Sequence, residues 1–78
     1  MQVTHDEAVA AKQDFVEEYL FAKPFRRYIN GVGIGRDEQE GYCVVVNLEK
    51  ALPEGIVLPE RVRGVKVSSK IVGPIEAF

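Results

Sequence analysis

One histidine, His5, and two serines, Ser68 and Ser69, are the first residues to weigh for nucleophilic chemistry in this 78-residue chain. A serine nucleophile needs an imidazole base in hydrogen-bond reach, an orienting carboxylate and a sharp glycine-flanked turn that presents the hydroxyl. His5 opens the chain, and both serines lie in a strand pattern with no glycine elbow around them. No triad is expected. Zinc sites need Cys and His at short spacing, and one histidine with one cysteine, Cys43, provides none. Carboxylates cluster at Asp6/Glu7, Glu17/Glu18 and Asp37/Glu38/Glu40. A catalytic carboxylate must be buried to acquire a shifted pKa, and these fall on a solvated helix face and a charged turn. The reading is a non-enzyme with no catalytic residue, no metal site and no cofactor.

Two further features carry chemical potential. Cys43 stands inside Tyr42-Cys43-Val44-Val45-Val46, with no basic or histidine neighbour to lower its pKa, and reads as a buried structural thiol. Gly31-Val32-Gly33-Ile34-Gly35 suggests a phosphate loop, but such a loop follows a strand and opens a helix. Here the glycines lie within a strand pattern and a charged turn follows. Strand alternation places Gly31, Gly33 and Gly35 on one face and Val32 and Ile34 on the other. One face of the strand is therefore bare backbone that another group can approach closely. The first candidate for that approach is the N-terminal helix with Phe15 and Tyr19. The second is a partner chain or ligand.

The elements that position these residues follow from spacing. Thr4 and Glu7 have capping-box spacing, Val3 and Ala8 fit a hydrophobic staple, and Asp6 and Glu7 suit the positive end of a helix dipole. A helix is expected over 4–22, with Ala8, Ala11, Phe15, Tyr19 and either Val16 or Leu20 on its apolar face. Pro24 ends it. Strands are expected over 28–36 and 41–49, joined by a hairpin turn at Arg36–Gly41. Residues 50–63 hold Pro53, Pro59 and Gly55 and read as a crossover with at most one helical turn near Pro59–Val62. A last strand follows over about 64–72, and Gly73-Pro74 breaks it before an apolar tail, Ile75–Phe78. The fold class is α+β: one domain over residues 1–78, with an N-terminal helix packed on a small mixed sheet of three to four strands in the order α-β-β-crossover-β. The crossover makes the second and third strands parallel and leaves the strand order open.

The middle strand is apolar on both faces, with Tyr42, Val44, Val46 and Leu48 opposite Cys43 and Val45. One helix covers one face. The other must be covered by the tail, by the crossover Ile56-Val57-Leu58 or by a second subunit, and a homodimer is the favoured expectation. Scaling laws give a folded surface of roughly 4,700 Å², about 60% of the chain's surface being buried, so added stability from a partner is useful.

Ten basic and twelve acidic residues leave a net charge of −2 and no strong field of either sign. The charge is uneven. Residues 1–22 carry one base and five acids, while residues 61–75 carry Arg61, Arg63, Lys66 and Lys70 and no acid. These four form a candidate anion patch, though an isoelectric point near 5.3 and the lack of any RNA-binding motif argue against nucleic acid. No signal peptide and no apolar run long enough to span a bilayer are present, so no membrane role is expected and the default location is the cytoplasm.

Four ordered motifs carry a family resemblance: Asn30-Gly31-Val32-Gly33-Ile34-Gly35; Tyr42–Lys50; Leu58-Pro59 with Val62-Arg63-Gly64-Val65-Lys66-Val67; and Val72-Gly73-Pro74-Ile75-Glu76-Ala77. Over residues 29–78 the chain resembles the small α+β segment that precedes the catalytic domain in some bacterial and plant trypsin-like serine peptidases. The chain stops at Phe78, where that catalytic domain would begin, so no nucleophile, base or oxyanion motif carries over. The resemblance implies a stand-alone accessory domain.

The expected function is a non-enzymatic protein-interaction module that self-associates. Its candidate interface comprises Gly31, Gly33, Gly35, Cys43, Val45 and Phe78. The alternatives are a regulator of a separate hydrolase, acting like a detached pro-segment, and a weak nucleic-acid or anion binder through the basic strand face.

Overall fold

The computed structural model describes residues 2–20, 22 and 25–73. Helix α1 spans His5–Phe15. Its start is built as the spacing requires: the Glu7 amide donates to Thr4 Oγ1 at 3.2 Å, and the Thr4 amide donates to Glu7 Oε1 at 3.0 Å. Two amides with no helical partner are thereby satisfied, and the bonds from Thr4 hold the Glu7 carboxyl below its usual range. Val3 packs on the core, and it also forms a bridge to Gly41, donating to Glu40 O and accepting from Tyr42 N. The expected helix over 4–22 is divided, because Val16–Leu20 forms a wider π turn. A short 3₁₀ turn, Phe25–Arg27, then leads into the sheet.

The sheet has four strands: β1 (Ile29–Asp37), β2 (Gly41–Leu48), β3 (Arg61–Val62) and β4 (Val65–Ile71). Their order is β1-β2-β4-β3. The β1–β2 hairpin is antiparallel, and Asp37 Oδ1 fastens its turn by accepting from the amides of Gln39 (2.8 Å) and Glu40 (3.0 Å). β2 and β4 run parallel, as a crossover demands. In place of a helical turn near Pro59–Val62, the chain makes the two-residue strand β3 and returns antiparallel as β4. The two-residue turn between them, Arg63-Gly64, has φ of +52° and +76°, the twist that suits a tight hairpin.

The core lies between α1 and one face of the sheet. Ala8, Ala11 and Phe15 meet Ile29, Val44, Val46, Leu48 and Val65, all buried. Tyr19 and Leu20 pack against this cluster with Val32, Ile34 and Val67. The register pairs Val32 with Val46 and Ile34 with Val44, so these four share the helix side. That overturns one expectation. Phe15 and Tyr19 do not lie on the glycine face, which is the opposite side of the sheet. The reason is area: α1 removes more apolar surface from water against branched side chains than against bare backbone. The molecule exposes 5563 Å², more than the roughly 4,700 Å² that scaling gives for a compact chain of its mass.

Candidate functional site: the glycine face of the sheet and its rim

Strand alternation assembles the far face. Register places Gly31, Gly33 and Gly35 of β1 beside Asn47, Val45 and Cys43 of β2, with Ser68 and Lys70 of β4 next to Val45 and Asn47. Five of the six residues of the candidate interface therefore meet on one surface. The sixth, Phe78, lies outside the described residues. The surface is not uniform. A Cβ at Gly31 or Gly33 would meet nothing within 4 Å among the described residues, whereas a Cβ at Gly35 would stand 2.6 Å from Val45 Cγ2. Val45 fills the room left at Gly35, and no described residue fills the trough over Gly31 and Gly33. Cys43 is a free thiol but buried, as its apolar run implied, so it is packing material rather than an exposed nucleophile. Asn47 Oδ1 is buried on this face with no hydrogen-bond partner among the described residues.

The four bases of the anion patch are not brought together as a free cluster. Arg61 pairs with Glu40 at 2.7 Å, Arg63 with Asp14 at 2.8 Å and Lys66 with Asp37 at 2.8 Å. Lys70 is the one of the four without an ion pair among the described residues. The acids that neutralise the others come from α1 and from the β1–β2 turn, far away in sequence. Arg61 also donates to Gly64 O at 3.0 Å across the β3–β4 turn.

The Lys66–Asp37 contact has a measurable consequence. The Lys66 ammonium, with the amides of Gln39 and Glu40, lowers the Asp37 carboxyl from 3.8 to about 2. The folded pKa is below the unfolded one, so this contact stabilises the fold above pH about 4. It is lost as pH falls through about 2. Thermal midpoints are expected to drop over that window. In Asp37→Asn the drop should be shallower, and equal slopes in both proteins would contradict the assignment.

The remaining sequence candidates stay apart. His5 is exposed and stands edge-on to Tyr42 at 5.2 Å between ring centroids, and no hydrogen bond joins it to Ser68 or Ser69 among the described residues. Among the described residues there is no group of three His, Cys, Asp or Glu able to hold a metal ion. No described helix is long and apolar enough to cross a membrane. A shallow groove of about 270 Å³ runs between the crossover and β4, lined by Leu52, Ile56, Leu58, Pro59, Val67 and Ser69. Glu60 is the single titratable residue on its wall.

What sequence reasoning missed is the free rim of the sheet. No strand pairs with the outer edge of β1 among the described residues. The available signal was the topology itself, a hairpin followed by a crossover, which leaves the first strand outermost if the last strand joins the second.

No family model, no curated protein and no solved structure matches the chain.

Proposed function

We propose that this protein is a non-catalytic interaction module that associates with itself through its sheet. The observation that carries this reading is the one-sided core: α1 covers the Val44/Val46 face, while the Val45 face carries a strand of glycines, with nothing within 4 Å of a Cβ at Gly31 or Gly33 among the described residues. Three of the four basic residues of the candidate anion patch are neutralised within the chain. That favours contact with a protein surface over capture of a polyanion. A small domain also gains stability from association by mass action. Sedimentation or light scattering at widely separated protein concentrations is expected to show a monomer–dimer equilibrium. A chain that stays monomeric across the whole range would overturn the proposal.

A further inference from the structure

The two rims of the sheet are finished differently. On the β4 side the edge is interrupted: β3 pairs for two residues only, Pro59 stands two residues before it, and β4 carries Lys66 and Lys70. Short strands, proline and lysine are the usual devices that keep an edge from pairing with another chain. On the other side, β1 runs for nine residues, and between Ile29 and Gly35 it has no charge and no proline.

The hydrogen-bond directions of β1 can be read from its neighbours. Tyr42 donates its amide to Val3, and Leu48 accepts from Val72, so the even residues of β2 point toward β4. The odd residues of β2 therefore bond to β1, and their register partners are Gly31, Gly33, Gly35 and Asp37. Val32, Ile34 and Arg36 consequently aim both backbone groups outward, away from the sheet. None of them has a backbone partner there among the described residues.

We infer that β1 is the pairing edge for a second copy of this chain, with the two β1 strands antiparallel about a two-fold axis at Gly33. The sequence around Gly33 has the same pattern in both directions, glycine-aliphatic-glycine-aliphatic-glycine. In that register Val32 of one copy faces Ile34 of the other, which gives apolar cross-strand pairs on the helix side and about four new backbone hydrogen bonds. Arg36 then faces Asn30, so no like charges meet. Glycine faces glycine on the other side, where no side chain hinders the close approach of non-hydrogen-bonded positions. The product is an eight-stranded sheet continuous through both copies. A register centred on Ile34 would instead set Val32 against Arg36, and one centred on Gly35 would set Ile34 against Arg36.

This inference rests on the self-association proposed above, and amide hydrogen exchange separates the two. In dilute monomer the amides of Gly31, Gly33 and Gly35 are held by β2, and those of Val32 and Ile34 exchange fast. At concentrations where sedimentation shows dimer, Val32 and Ile34 are expected to become protected. A synthetic chain N-methylated at Ile34 keeps every bond to β2 and loses the outward donor, so it should remain monomeric. Arg36→Pro, at an exposed position, should weaken dimerisation without unfolding the chain by circular dichroism. Fast exchange at Val32 and Ile34 within a populated dimer would overturn edge pairing while leaving self-association standing. So would a dimer untouched by N-methylation at Ile34. A monomer at every concentration would remove both.

Discussion

Gly41→Ala is expected to be among the most damaging single-methyl additions in this chain, costing about 2–4 kcal/mol. Two independent effects add. Gly41 has φ of +89°, a conformation that costs an L side chain roughly 1–2 kcal/mol. An added Cβ would also lie 2.7 Å from the Val3 carbonyl oxygen and 3.0 Å from the Val3 amide nitrogen. Those atoms are backbone, and they are the ones that Glu40 and Tyr42 hold in the bridge between the N-terminus and β2. Relief therefore requires breaking that bridge, which carries the residue before the helix cap. At roughly 4–8 °C per kcal/mol for a domain of this size, the midpoint of thermal unfolding should fall by more than about 8 °C. Gly33→Ala is the internal control. Its Cβ meets nothing and its φ is ordinary, so the same added methyl should be neutral or stabilising by up to about 1 kcal/mol. Equal losses from the two substitutions would contradict the account.

Phe15→Ala is expected to cost about 3–5 kcal/mol. Phe15 is fully buried and is the largest side chain in the core. It joins α1 to the sheet and begins a run of rings: its ring stacks on Tyr19 at 5.1 Å, and Tyr19 meets Phe25 edge-on at 5.4 Å. Truncation leaves a cavity that Ala8 and Ala11 on the same helix face are too small to fill, and it frees Tyr19 from one side. A domain of this length has a total stability of roughly 4–12 kcal/mol, so the variant should lose a large fraction of it. Phe15→Leu keeps most of the volume and should cost less than about 3 kcal/mol. Urea titration of both variants checks the ranking. A truncation as mild as the leucine exchange would mean that the helix is not anchored here.

Local signals in the sequence translated well where the physics is local. The capping box at Thr4 and Glu7 needs only residues three apart, and it formed as spacing required. The apolar face of α1 and the alternation of β1 and β2 depend on helical and strand periods alone, and both hold. The strand β3 left no periodic trace because two residues have no period. Its one cue was Arg63-Gly64 between two valines, a dipeptide able to take positive φ at both positions. The ion pairs were invisible for a different reason. Arg63 and Asp14 are 49 positions apart, and Lys66 and Asp37 are 29 apart, so a stretch that reads as an uncompensated basic run is neutralised from elsewhere.

The glycine strand marks the boundary between the two kinds of information. By itself the sequence determined that Gly31, Gly33 and Gly35 share a face, that β2 is apolar on both sides, and that one helix cannot cover both. It did not determine which face the helix takes, because alternation defines two sides without ranking them. Tertiary structure decided that. Packing α1 on Val32, Ile34, Val44 and Val46 removes more apolar area from water than packing it on bare backbone could. The glycines were thereby turned to the other face, and the crossover that places β4 beside β2 left β1 as the outermost of the described strands.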